Sequence, residues 1–362
     1  MCDVPALRFP EFTGEWERHK LSEVCSFYSG GTPSSSKKEY YNGNIPFIRS
    51  GELHKDYTEL FITEAGLSNS AAKLVETGDL LLALYGATSG DIAISKIKGA
   101  INQAILCIRT KQNKKFIESV WNKHVERLLQ TYLQGGQGNL SADIVKNIPF
   151  YFANSNEQDK LAKFISLLDE RIATQNKIIE KLETLIKGII ETVISSQKPN
   201  TLIKNCLECN SSTLQESQVA ETGTFPVYGA TGISGYTETA DINGESILII
   251  KDGSSVGIVK FVTGEYSYIG TLNSLIAKDE YCLKYIYFAL QRFSFEPYKT
   301  GMAIPHIYFK DYGKAKIYCP SLSLQTLIAQ KLSLIENKME VEKRIILCYQ
   351  LQKSYLLSRM FI

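Results

Sequence analysis

The chain has 362 residues, of which 44% are hydrophobic and 22% charged, and its formal net charge is +2. That length accommodates two domains of ordinary size, and so even a balance leaves any nucleic-acid footprint to local clusters instead of bulk charge. With no uninterrupted apolar run near about 18 residues and no basic-then-apolar amino terminus, neither a membrane span nor a secretory leader is predicted, and the expected location is cytoplasmic.

The first segment, 1–154, reads as a compact domain of mixed character. Apolar bursts at 45–50 (I-P-F-I-R-S), 80–84 (L-L-L-A-L) and 104–108 (A-I-L-C-I), divided by Gly, Ser, Thr and Asn, predict short strands. The tetrapeptide N-I-P-F at 44–47 and 147–150 resembles the N-P-P-F loop of enzymes that methylate the exocyclic amine of adenine. Both copies lack the first proline and no glycine-rich loop stands upstream, so both are predicted to be strand starts in which Pro sets the backbone angle.

At 155 the pattern changes. Leu161, Ile165, Leu168, Ile172, Gln175, Ile179, Leu182, Ile186, Ile189 and Val193 recur in alternating steps of four and three, a heptad seam. The spacing predicts a long central helix over 155–197 that packs against another helix, opened by an S-x-x-Q capping box at Ser155 and Gln158 and closed by K-P-N at 198–200.

A second domain is predicted over 198–320, with a strand at 246–250, and a second long helix over 321–362. Adding 167 to each seam position gives Ile328, Leu332, Ile335, Met339, Glu342, Ile346, Tyr349, Lys353, Leu356 and Met360, with the polar Gln175 falling on Glu342 and Lys353 the one misfit. The same offset carries Gly86 and Gly90 of Y-G-A-T-S-G onto Gly253 and Gly257 of D-G-S-S-V-G. The chain therefore reads as a tandem duplication. Aligning Cys25 with Cys206 gives the first copy about 14 more residues ahead of Gly86, around 53–67.

Catalytic patterns are sparse. G-S-S-V-G at 253–257 has the nucleophile-elbow form with Ser255 in the nucleophile position, but the apolar I-V after it predicts a strand where a helix is required, and the first copy has Thr88 there. His19, His54, His124 and His306 lie far apart, and His306 maps onto Asn139. The eight cysteines, at 2, 25, 107, 206, 209, 282, 319 and 348, suggest neither a disulfide framework nor a metal cage, and Cys206 and Cys209 form a lone C-x-x-C without a second ligand pair. No bound metal is expected.

Polar, glycine-rich loops remain. In the first copy they hold Ser29, Gly30, Gly31, Thr32, Ser34, Ser35, Lys37 and Lys38, then Tyr85, Gly86, Thr88 and Ser89, then Gln134, Gln137 and Asn139, with Arg49 nearby. In the second they hold Tyr228 and Thr231, then Lys251, Ser254 and Ser255, then Lys299, Thr300 and His306. Glycine lets backbone N–H groups approach phosphates, hydroxyls and amides pair with base edges, and the basic residues add local charge; these are the candidate DNA-binding residues.

These pieces, taken in order, resemble the specificity subunit of a type I restriction-modification enzyme. The likeness is carried by P-A-L-R-F-P-E-F-T-G-E-W at 5–16, L-S-E-V-C-S-F-Y-S-G-G-T-P-S at 21–34, G-D-L-L-L-A-L-Y-G-A-T-S-G at 78–90, N-Q-A-I at 102–105, E-Q-D-K-L-A-K-F-I-S-L-L-D-E-R-I at 157–172 and F-P-V-Y-G-A-T-G-I-S-G-Y at 225–236. The second copy departs from it, reading L-E-C-N-S-S-T-L-Q at 207–215 in place of S-G-G-T-P.

The resemblance implies an α+β fold in which two pseudo-symmetric target-recognition domains of mixed α/β character are separated by two long antiparallel coiled-coil helices. Each domain would read half of a bipartite site in double-stranded DNA. The partners implied are two methyltransferase subunits and restriction/translocase subunits, without a membrane. No catalytic centre or cofactor is implied in this chain; S-adenosylmethionine, ATP and Mg would sit on the partner subunits. The alternative is a bivalent coiled-coil scaffold that binds another ligand.

Overall fold

The computed structural model describes residues 4–133, 139–301 and 304–362. It divides into two compact units, Met1–Gln175 with Ile345–Ile362, and Asn176–Arg344. Each long helix thus gives one part to each unit, where the sequence pattern had set the helices apart as segments of their own.

In the first unit, β1 (Cys25–Ser29), β2 (Leu80–Ala83), β3 (Ile92–Ile94) and β4 (Ile105–Thr110) form an antiparallel sheet in the order β1-β4-β2-β3. Side chains alternate across a strand. Leu80, Leu82, Leu106 and Ile108 therefore face one core, with Phe116 and Trp121 of helix α1 (Lys114–Leu133), while Leu81, Ala83, Ile105 and Cys107 face a second. Burial on both faces explains why L-L-L-A-L does not alternate with polar residues. Of the two N-I-P-F prolines, Pro149 does start a strand, Pro149–Phe152, whereas Pro46 lies inside Tyr41–Ile48, opposite Phe61 and beyond an irregularity at Tyr41/Ile45.

The second unit repeats the plan. Strands β5 (Leu207–Ser211), β6 (Ile242–Ile250), β7 (Val259–Tyr268) and β8 (Leu272–Ala277) take the order β5-β8-β6-β7, extended beyond β7 by Phe225–Gly229 and Gly232–Thr237. The copies coincide bond by bond at the offset of 167. Gly90 N–H donates to Ala83 as Gly257 does to Ile250, Leu84 to Ala104 as Lys251 to Thr271, and Leu140 to Leu84 as Ile307 to Lys251. Ahead of the glycine turn, a short helix runs into the sheet at Leu21–Val24 and again at Ile203–Cys206, so the strand begins at Cys25 in one copy and at Leu207 in the other. The true offset there is 207 − 25 = 182, and the first copy is longer by 182 − 167 = 15 residues, one more than matching the cysteines gives. Cys206 belongs to the short helix, buried with its Sγ 3.8 Å from that of Cys319, and the C-x-x-C carries no pairing of its own.

The long helices α2 (Ser155–Ile190) and α3 (Leu322–Met360) run antiparallel. In the first unit Leu7 N–H reaches Arg359 while the adjacent Arg8 pairs with Glu157, and further along Asp169 meets Lys353. Residue numbers thus fall along α3 as they rise along α2. The cap of α2 is Asn154, whose Oδ1 accepts from Glu157 N–H at 3.0 Å, so the predicted Ser155 capping box is displaced by one residue. Gln158 is instead a buried clasp, donating to Ala153 O and accepting from Asn113 N–H. Gln325 repeats it on Pro320 and Cys282. Lys353 is no defect in the seam, since its ammonium and that of Lys115 both bind the Asp169 carboxylate, at 2.5 and 2.6 Å. At the end of α2 a π turn over Glu191–Ser195 rotates the seam, so that Ile190 and Ile194 are buried and the predicted Val193 is exposed. No helix among the described residues is long and apolar enough to cross a membrane.

Candidate nucleic-acid interface

Hydrogen bonds bring several of the predicted loops together within each unit. In the second unit, Gly253 N–H donates to Pro305 O at 2.9 Å, Ile307 N–H to Lys251 O at 2.9 Å, and Thr300 and His306 exchange both of their backbone bonds. Lys251, Ser254, Ser255, Lys299, Thr300 and His306 therefore share one surface. Gly253, with φ 101° and open space around its α-carbon, makes the turn that exposes Ser254 and Ser255. A strand follows that turn and no helix does, which removes the structural context a nucleophilic Ser255 would need. Lys299 is tied to Glu296, and the His306 ring stands edge-on to Tyr308.

Tyr228 and Thr231 flank this surface on a cleft of about 130 Å³, floored by Leu248, Ile250 and Leu272. Lys260 lies over the Tyr228 ring at 4.8 Å, and Tyr228 meets Tyr266 edge-on. Lys251 and Lys260 make no ion pair among the described residues.

In the first unit the corresponding bonds bring Leu84–Ser89, Asn102–Ala104 and Asn139–Leu140 together. Thr32 joins them by donating to Gln103 Oε1 at 2.5 Å. Gly86, at φ 85° with nothing near it, leaves the tip of the turn open; Tyr85 and Thr88 are half-buried beside it, and Ser89 is turned inward, its hydroxyl on Leu84 O. Asn139 is exposed. Gln134 and Gln137 lie outside the described residues. Ser34 and Ser35 are exposed, Ser34 shares a hydrogen bond with Ser36, Lys37 donates to the Tyr40 hydroxyl at 2.9 Å, and Lys38 points to solvent.

Four predicted residues are engaged in holding the fold. A Cβ on Gly30 would meet Ile101 O at 1.8 Å and one on Gly31 would meet Ala71 Cβ at 2.5 Å, so these glycines admit a neighbouring chain segment and leave no room for a ligand. Ser29 lies in the ladder of β1 opposite Leu106. Arg49 is committed to Glu52, at 2.6 Å, and to Glu59, at 2.9 Å. Burial alone would raise the Glu52 carboxyl, but Arg49 and Thr58 outweigh it and bring it down to about 2. Conversely, Gln103 and Lys260 were not singled out from sequence; N-Q-A-I marked the first only as part of a resemblance, and Lys260 is one lysine on an alternating strand.

Among the described residues no group of three or more His, Cys, Asp or Glu side chains could hold a metal ion. The geometry instead defines a class: a tandem recognition protein, with one frame built twice and a different polar loop cluster on each copy. The chain belongs to the family of the type I restriction modification DNA specificity domain, whose model matches residues 13–184 and 205–347. It is 27% identical over 187 residues to the Escherichia coli type I restriction enzyme EcoR124I/EcoR124II specificity subunit, covering 49% of this chain and 45% of that one. It thus spans about half the length of this curated relative. In fold it is similar to the S subunit of a type I restriction-modification system from M. genitalium, with a TM-score of 0.68, 18% identity and 99% of each chain covered. It is also similar to a chain from a structure describing complex assembly and conformational transition of the type I R-M system, with a TM-score of 0.55, 15% identity and 96% and 97% covered.

Proposed function

We propose that this chain is the DNA-specificity subunit of a type I restriction-modification assembly, and that each unit reads one half of a bipartite double-stranded site. The observation that carries this reading is the bond-by-bond repetition of the frame under loop clusters that share almost no side chains. Identical reactive residues in both copies would be the mark of a duplicated enzyme; here His306 corresponds to Asn139, Ser255 to Thr88 and Lys251 to Leu84. The contacts with DNA fall to Thr32, Ser34, Ser35, Lys37, Lys38, Gly86, Thr88 and Asn139 in the first unit. In the second they fall to Tyr228, Thr231, Lys251, Ser254, Ser255, Thr300 and His306.

The same reading gives the long helices a second task, docking two methyltransferase subunits, with a restriction/translocase subunit joining the assembly. On α3 the exposed Leu327, Leu334 and Val341 recur every seven residues within the second unit, on the side away from the buried Leu332. In the first unit Leu347, Leu351 and Tyr355 are likewise exposed. Outward apolar stripes of this kind serve partner binding. S-adenosylmethionine, ATP and Mg would act on those partners, and this chain would contribute recognition alone.

The test is reconstitution with the cognate methyltransferase subunit, followed by mapping of methylated adenines across a genome. A two-part motif with a fixed non-specific spacer supports the proposal; methylation that is absent, or directed to one continuous motif, refutes it.

A further inference from the structure

The two units differ at one place that the duplication makes directly comparable. In the first, Leu53 of the longer segment is 2% exposed and packs with Leu81, Ala83, Ala93 and Ile105 on the sheet face carrying the second core. Beside it His54 pairs with Asp91 at 2.8 Å. At the offset of 167 those positions become Leu248, Ile250, Lys260, Leu272 and, for Asp91, Ile258. The second unit lacks the longer segment. There Tyr228 packs against Leu248, Ile250 and Leu272 in place of Leu53, and beside it these side chains line a cleft of about 130 Å³.

We propose that this cleft is a reading pocket for the 5-methyl edge of a thymine in the half-site of the second unit. This rests on the functional reading above. Its floor is apolar, as a methyl group requires, and its volume exceeds the roughly 30 Å³ share of one water, so a methyl and part of a ring edge fit. Its rim carries the Thr231 hydroxyl and the Lys260 ammonium, neither bound to a carboxylate among the described residues. Lys251, next to Ile250, continues the same surface toward Ser254 and Ser255. The positive rim complements a polyanion, and the apolar floor complements the one base-pair edge in the major groove that presents a methyl. In the first unit Leu53 and the His54–Asp91 pair lie over the equivalent floor, and that unit reads its half-site without this pocket.

The test uses the assembled complex and its mapped site. Each thymine is replaced in turn by deoxyuridine, which removes only the methyl. The pocket predicts one thymine in the second unit's half-site at which this weakens binding about fourfold, the worth of one buried carbon. Ala230→Leu, at the exposed lip of the cleft, fills the space and abolishes that sensitivity, leaving the first unit's half-site unchanged. Ile258→Ala, at a side chain 57% exposed, reduces it without unfolding the sheet. A half-site made only of G·C pairs overturns the pocket, as does one insensitive to deoxyuridine throughout. If instead Ala230→Leu weakens assembly with the methyltransferase subunit, the cleft holds protein and the proposal fails. Loss of all sequence selectivity in the wild-type complex would refute the wider reading, and is distinguishable from these outcomes.

Discussion

Arg49 and Glu52 stand three residues apart at a tight turn, and their pairing shows how a charge that looks available in sequence can be spent inside a fold. Glu52 is 2% exposed and accepts from Arg49 and Thr58. Because its folded carboxyl lies near 2, below the unfolded value, its stabilising contribution is present above about pH 4.3 and is lost as pH falls from there towards 2. Glu52→Gln should flatten the acid limb of a stability-versus-pH curve in that window, whereas an unchanged limb would remove the pair from the account. Arg49→Leu leaves the buried carboxylate with only the Thr58 hydroxyl and the backbone N–H of residue 49, and should cost about 1–3 kcal/mol in urea unfolding, towards the low end because part of the guanidinium is in water. At this scale the sequence was legible where a residue type has one use, as in the left-handed Gly86 and Gly253. It was opaque where the partner is close in space but unmarked, as for Arg49.

The helix seams were legible because a heptad is a local period that needs no knowledge of the partner. Their exceptions were not, since each has a cause outside the helix that bears it. Lys353 sits in an apolar register because Asp169 waits opposite, already bound to Lys115; burial raises the Asp169 carboxyl, and the two ammonium groups more than reverse it. Asp169→Ala should therefore destabilise the first unit by about 1–3 kcal/mol, more than Lys353→Met, since it strands Lys353 and leaves Lys115 with Glu118 alone, where the other change strands no charge. Equal losses in urea midpoints would contradict that order. The glycine turns allow a second comparison. Gly86 and Gly90 have φ of 85° and 86°, but a Cβ on Gly86 meets nothing, while one on Gly90 comes 2.9 Å from Val125. Gly86→Ala should cost only the conformational term, about 1 kcal/mol, and Gly90→Ala about 1–3 kcal/mol more through overpacking against α1. The order of the sheet strands could not be read at all, because pairings such as Cys25 with Thr110, 110 − 25 = 85 positions apart, leave no local trace; only the duplication, seen as an offset, hinted that it would occur twice.

For the whole molecule, a net charge of +2 leaves the proposed attraction to DNA to local loop clusters instead of bulk charge. Affinity of the assembled complex should fall about a thousandfold or more between roughly 50 and 200 mM salt if six or more phosphates are contacted, and a flat salt titration would point to another ligand. The central claim is that the two loop clusters read independently. It is tested most directly by mapping the methylation motif of a complex carrying Lys251→Ala with Ser255→Ala in the second unit. The account predicts that one half of the motif becomes degenerate while the other half and the spacer stay as in the wild type. Equal loss of discrimination in both halves, or a motif that does not change at all, would contradict it.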